Sequence, residues 1–314
     1  MAKGSQFVDR LRAAKTVAGL VLACLVLLEP PAYGVQQASP ASTAPGATSA
    51  PTAQNSVRFA VLGDTGTGDR AQYEVAAQLE KSRAIFPFEL VIMVGDNMYG
   101  SERPQDYVRK FEMPYKPMLD AKIPFYASLG NHDDPNQRFY KPFNMNGERY
   151  YTFKVGSPSV RFFALDSNYM TREQLEWLDK ELANSDSPWK IAFFHHPLYS
   201  SGGRHGSEVD LREQLEPLFQ KHGVNVVFSG HEHFYERLKP QNGIHYFTAG
   251  GSAKLRSGDI QKGTLMAAGF DSDRSYMLVE VAGDTMHFQT LSRLGKQVDS
   301  GTIERQNRAT TQPQ

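Results

Sequence analysis

Apolar residues along this chain gather in short unbroken runs, and each run closes on glycine or another polar residue. Five of them read VRFAVLGD, ELVIMVGD, IPFYASLGNHD, KIAFFHH and VNVVFSGHEH, between Val57 and His233. Runs of this length bounded by turn residues predict buried strands. Segments with helical spacing lie between several of them, namely AQYEVAAQLEKS, TREQLEWLDKELANS and SEVDLREQLEPLFQKHG. Thr171 stands three residues before Gln174, the spacing of a capping box. Strands alternating with helices predict an α/β fold.

A second set of runs, RYYTFKV, VRFFALDS, HYFTAG, SYMLVEVAG and DTMHFQTL, comes without helices between all its members. Gly283-Asp284 predicts a hairpin between the last two. A mixed sheet or a two-sheet sandwich flanked by helices accommodates both sets. No internal repeat of fixed period is present.

The ends of the chain read differently. Residues 1–34 begin with Lys3, Arg10, Arg12 and Lys15, run uncharged from Thr16 to Leu28, and reach Ala32-Tyr33-Gly34 after a proline pair. That order predicts a secretory signal peptide. The 13-residue uncharged run is short of the roughly 20 residues a span needs. An uncleaved anchor, or a lipoprotein tethered through Cys24, is the alternative. Residues 35–56 are Ala, Ser, Thr, Pro, Gln and Gly with almost nothing to bury, and predict a disordered linker. The folded unit is then expected over 57–300, with 301–314 as a flexible tail.

Lysine plus arginine equals aspartate plus glutamate at 34 each among 314 residues. No global field therefore calls for nucleic acid or an anionic membrane surface. Cys24 is the single cysteine, so cleavage after Gly34 would leave an exported domain, periplasmic or secreted, without a disulfide. A domain of this size has core enough to do without one.

Chemistry enters at the ends of the first five runs, in the loops GDTG, GDNMY, GNHD, HHP and GHEH. Open α/β sheets place ligand sites in such loops. The glycines around Asp64 fit neither dinucleotide nor P-loop spacing. Together the loops would bring aspartates, an asparagine, a tyrosine and histidines to one sheet edge. Oxygen and imidazole donors without thiolate suit iron, zinc or manganese, and a carboxylate can bridge two ions. Two ions about 3.5–4 Å apart clamp a phosphoryl group during displacement.

This set resembles the calcineurin-like metallophosphoesterases, and within them the purple acid phosphatases, over roughly residues 57–250. The tyrosine three residues after the aspartate of GDNMY and the string GHEHFYER carry the narrower resemblance. It implies a four-layer α/β/β/α sandwich of two mixed sheets. It also implies that Asp64, Tyr99 and His233 hold one metal, Asn131, His195 and His231 the other, and that Asp96 bridges. His195 is favoured over His196 because the family ligand precedes a variable residue and proline. His132 and His205 match outer histidines that contact phosphate or protonate the leaving group. A phenol, with a reference pKa of about 10, ligates near neutrality only on a highly charged ion. The implied pair is thus Fe(III) with Fe(II), Zn(II) or Mn(II).

The resemblance implies hydrolysis of small phosphate monoesters, acid phosphatase type, by hydroxide attack at the metal pair without a phosphoenzyme. A phosphodiesterase or nucleotidase on the same site is the enzymatic alternative. A non-catalytic exported metal- or phosphate-binding protein is the other, and His132 and His205 argue against it. Asp133, Asp166 and Arg237 are expected to orient metal-bound groups. His222, His245 and His287 are expected to lie outside the site.

Overall fold

The structure, a computed structural model, describes residues 56–156 and 159–305. The expected signal peptide, all of the expected linker but Ser56, and the chain beyond Arg305 lie outside the described residues. Along the chain the strands are β1 (Ser56–Leu62), β2 (Leu90–Val94), β3 (Phe125–Ser128), β4 (Tyr151–Val155), β5 (Val160–Ala164), β6 (Trp189–Phe193) and β7 (Val226–Ser229). Then come β8 (Tyr235–Leu238), β9 (His245–Ala249), β10 (Met266–Phe270), β11 (Ser275–Ala282), β12 (Thr285–Ser292) and β13 (Gln297–Glu304).

Six strands form one sheet, in the order β13-β12-β11-β1-β2-β3, and seven form the other, β10-β8-β9-β7-β6-β5-β4. β1, β2 and β3 run parallel in the first sheet, and β5, β6, β7 and β9 in the second. The remaining pairings are antiparallel, including the β11–β12 hairpin, where Ala282 pairs with Thr285 across Gly283-Asp284 as expected.

Strand alternation explains the unbroken apolar runs. In β1, Val57, Phe59 and Val61 enter the core between the sheets, while Ala60 and Leu62 join a second core with Val75, Ala76 and Leu79 of α1 (Arg70–Ile85). In β6, Trp189, Ile191 and Phe193 face the inter-sheet core. Ala192 and Phe194 just beyond face a third core. That core holds Leu178 and Leu182, and Leu215 and Phe219, from two helices of the other outer layer. A strand buried on both faces has no polar positions to alternate with. The result is helix, sheet, sheet, helix, as the resemblance implies.

Two short helices, α2 (Pro104–Tyr107) and α3 (Lys116–Asp120), follow β2. The longer α4 (Arg172–Ala183) and α5 (Val209–His222) cover the second sheet. Thr171 caps α4 by accepting the Gln174 N–H at 3.3 Å, as expected. The return half of the box is absent, because the Gln174 amide bonds both backbone groups of Asp166 instead, at 2.8 and 3.0 Å. The capping glutamine thus fixes the loop after β5.

The tail boundary at 301 needs correction. β13 continues to Glu304, with Phe288 opposite Gly301 and Met286 opposite Ile303, and Ile303 is buried against the inter-sheet core. No helix of the described residues is long and apolar enough to cross a membrane.

Phe59 packs edge-on against Phe162 and Phe228 of the opposite sheet, at centroid distances of 5.2 and 6.0 Å. Phe59→Ala should therefore lower stability by about 3–5 kcal/mol in urea unfolding. Phe139→Ala, at a side chain 62% exposed, should move it by no more than about 0.5 kcal/mol.

Candidate metal centre

Five of the seven predicted ligands sit just past the C-terminal end of a parallel strand, Asp64 after β1, Asp96 after β2, Asn131 after β3, His195 after β6 and His231 after β7, while Tyr99 and His233 lie further along the loops after β2 and β7. The loops are laced together across the two sheets. Asp64 N–H donates to the Gly95 carbonyl at 3.1 Å, Gly230 N–H to the His195 carbonyl at 2.9 Å, and His231 N–H to Asp64 Oδ2 at 3.0 Å.

Their side chains converge in two groups of three. Asn131 Oδ1 lies 3.0 Å from both His195 Nε2 and His231 Nδ1, which are 3.1 Å apart. Tyr99 Oη lies 2.8 Å from Asp64 Oδ1 and 3.2 Å from His233 Nε2, which are themselves 3.3 Å apart. Asp96 stands between the groups, with Oδ1 3.4 Å from His195 Nε2 and accepting the His132 N–H at 3.0 Å. Donor atoms sharing one ion at ~2.0–2.2 Å stand roughly 3–3.5 Å apart, so both triangles have the size of a coordination face. His195 Nδ1 donates to the Val94 carbonyl at 3.0 Å, which leaves Nε2 as a bare lone pair aimed inward.

Backbone strain puts the donors there. Asp64, Asp96 and His231 all adopt left-handed backbone, at φ 57°, 51° and 69°, a conformation that costs an L-residue about 1–2 kcal/mol. Two glycines make room for it. Gly95 takes φ 90° against the His195 ring, and a Cβ on Gly130 would fall 2.2 Å from Asp96 Oδ1. Asp133 then ties the loops together, accepting N–H groups from Gly130, Asn97 and Met98 at 2.8–3.1 Å. Lys110, in a wide π turn at Val108–Glu112, is buried and bonds the carbonyls of Tyr99 and Ser101.

Electrostatics shows what such a cluster accepts. Burial and the neighbouring Asp96 push the Asp64 carboxyl well above its ordinary range, and burial with both carboxylates pushes the Tyr99 phenol up. Burial drives His195 well below the usual imidazole range and takes His196 and His233 to about 4. His231 falls by burial and by the surrounding imidazoles. Asp64, Tyr99 and the imidazoles are thus pushed toward their uncharged forms, whereas a multivalent cation favours the deprotonated form of every donor. The donor set fits metal ions, and Asp64, Asp96 and His195 on one side, with His195, His196 and His231 on the other, place ligand atoms within 4.8 Å of one another.

The two outer histidines lie beside these triangles. The His132 ring is 4.9 Å from Tyr99, and the His205 ring 4.2 Å from His231. His196 Nδ1 is engaged by Ser167 Oγ at 2.8 Å, and its ring lies 4.5 Å from His231. From Asn131 and His196 a cleft of about 560 Å³ opens, walled by Tyr169, Met170, Leu211 and Arg149.

Three supporting roles come out differently from expectation. Arg237 does not approach the site: it forms a forked pair with Asp299 of β13, at 2.7 and 3.1 Å, because strand alternation in β8 turns it away. Asp166 pairs with Arg149 at 2.6 Å and with Asn168, whose amide reaches the Gly130 carbonyl, so it braces the loop rather than an imidazole. Asp133 likewise acts on backbone. Sequence reasoning missed Lys110, Ser167, Glu232 and Arg256. Only Glu232 carried a signal, as a charge between two histidines of GHEH. His222, His245 and His287 lie outside, with His222 on Asp179 and His287 on Thr302.

Fold and strand-end centre together define the metallophosphoesterase class. Residues 57–235, more than half of the chain, match the calcineurin-like phosphoesterase family, and the protein belongs to it, which makes it a metal-dependent phosphoesterase. It is 26% identical over 282 residues to purple acid phosphatase 17 of Arabidopsis thaliana, covering 74% of this chain and 83% of that protein. Its fold is that of a purple acid phosphatase from yellow lupin seeds, with TM-score 0.68, 22% identity, and 81% of this chain against 54% of that one. It is also that of GAP50, the anchor in the inner membrane complex of Plasmodium, with TM-score 0.70, 19% identity, and 82% and 91% coverage.

Asp133→Ala should loosen the centre from its frame, since it strips acceptors from three loop N–H groups. A stability loss of about 3 kcal/mol or more is expected, read by urea unfolding, with less metal retained after dialysis.

Proposed function

We propose that the protein is an acid phosphatase of the purple type that hydrolyses phosphate monoesters at a two-metal centre. Asp64, Tyr99 and His233 would hold one ion, Asn131, His195 and His231 the other, and Asp96 would lie between them. The observation that carries this reading is the Tyr99 hydroxyl, which closes the triangle with Asp64 and His233. A phenol placed among carboxylates becomes a ligand only against a strongly charged ion, so iron(III) is assigned there and a divalent iron, zinc or manganese opposite. Such a pair supplies Lewis acidity and a nucleophile without a serine or cysteine.

The chain's own residues do the rest. His132 and His205 flank the two triangles, and their ring nitrogens would donate to phosphate oxygens. His205, the neighbour of His231, would also deliver the proton that the departing alkoxide needs. The cleft beyond Asn131 and His196 would take the organic part of the ester. Export to the periplasm or exterior, through residues 1–34, is part of the same proposal.

Purified protein should carry close to two metal ions per chain by elemental analysis. It should also show a visible absorption band that Tyr99→Phe abolishes. Active protein that is colourless and free of iron would remove the purple assignment. Turnover of p-nitrophenyl phosphate should exceed that of its bis-ester, and the reverse order would make the enzyme a diesterase. His205→Ala should slow alkyl phosphates by about 100-fold. The loss with p-nitrophenyl phosphate should be much smaller, because p-nitrophenolate leaves without a proton.

A further inference from the structure

The loop that carries His205 reads SSGGRHGS, a composition that suggests freedom. Its surroundings deny it that freedom. Glu232, between His231 and His233, has a side chain with no exposed surface. Its Oε1 accepts the N–H groups of Gly206 at 2.8 Å and His205 at 3.3 Å, and its Oε2 accepts from Arg256 Nη1 at 3.0 Å. Arg256 brings Nη2 to 3.4 Å from His233 Nδ1 and donates its backbone N–H to the His233 carbonyl at 3.0 Å. It also pairs with Asp259, whose carbonyl accepts the Gly203 N–H at 2.9 Å. The loop rests directly on the carboxylate, for a Cβ at Gly202 would fall 2.3 Å from Glu232 Oε1.

A buried carboxylate is tolerated only when a cation and directed donors compensate it. Here the donors are two successive N–H groups of the His205 loop, and the cation is a side chain from a segment more than twenty residues later in the chain. Satisfying Glu232 therefore fixes where the His205 backbone lies, and with it the ring 4.2 Å from His231. Nothing else in the described residues gives a carboxylate this set of partners beside an outer histidine.

We propose that Glu232 and Arg256 are positioning residues: as a buried pair they clamp the His205 loop onto the His231–His233 segment and hold the His205 imidazole over the Asn131, His195, His231 triangle. The proposal rests on His205 acting on the ester, as assigned above.

Glu232→Gln preserves volume and removes the charge that holds Arg256. On an alkyl phosphate it should lower kcat about tenfold while elemental analysis still finds two metals per chain. Calorimetry should show orthophosphate bound several-fold more weakly. Because Glu232 acts through His205, the double variant H205A/E232Q should be no slower than H205A. Arg256→Met should reproduce the loss, and Arg256→Lys, which returns a cation to Glu232, should recover most of it. This Arg256 pair carries the same test if E232Q does not fold. Losses that multiply in the double variant, metal lost from E232Q, or an E232Q enzyme at the wild-type rate would each overturn the clamp. A wild-type rate in H205A removes the assigned role of His205 and the clamp with it, whereas a slow H205A beside a normal E232Q removes the clamp alone.

Discussion

The burial of one sheet's inner face against the other is the contact on which the rest of this protein depends. Phe59, Val61, Ile92 and Val94 from the first sheet meet Phe162, Ile191, Phe193 and Phe228 from the second. Once those faces are locked, the C-terminal ends of β1, β2, β3, β6 and β7 share one rim, and the loops leaving them must occupy the same space. The hydrogen bond from His231 N–H to Asp64 Oδ2 joins the sheets at that rim. Hydrophobic packing supplies the non-directional force, and a few backbone bonds supply the register.

The rim is a hard place to keep polar groups. Two carboxyls, a phenol, an amide and several imidazoles crowd there, and burial pushes Asp64, Tyr99 and His195 toward their neutral forms. Ion capture converts that liability into affinity, since the donors are desolvated and convergent beforehand. Catalytic potential thus arises from arranging what folding alone would avoid. The braces around the rim, Asp133 below the Asn131 loop and Glu232 below the His205 loop, are both carboxylates that use backbone N–H groups as partners.

Much of this was legible in the sequence because the local signals and the global fold agree. A strand buried on both faces writes itself as an unbroken apolar run, and a polar side chain at its rim writes itself as a polar residue closing that run, so the placement of Asp64, Asp96, Asn131, His195 and His231 along one rim could be read in order. Tyr99 and His205 came only through the family resemblance, on the spacing of its motifs. What stayed hidden was whatever depends on the chain returning from far away. Arg256 meets Glu232 across 24 positions, and Lys110 reaches back to Tyr99 from a π turn. Arg237 stands beside GHEH in sequence, yet β8 alternation sends it to Asp299. β13 is a mostly exposed edge strand with few apolar residues, so its pattern is close to that of a loose tail.

The left-handed backbone at Asp64, Asp96 and His231 bears on how such a protein can drift over generations. Aspartate, asparagine and histidine are the non-glycine side chains that this conformation tolerates best. Ligand chemistry and backbone geometry therefore select the same few residue types at these positions. A lineage released from hydrolysis would still be confined there to asparagine or glycine before any branched side chain. The outline of the centre would thus persist in descendants long after the reaction had gone.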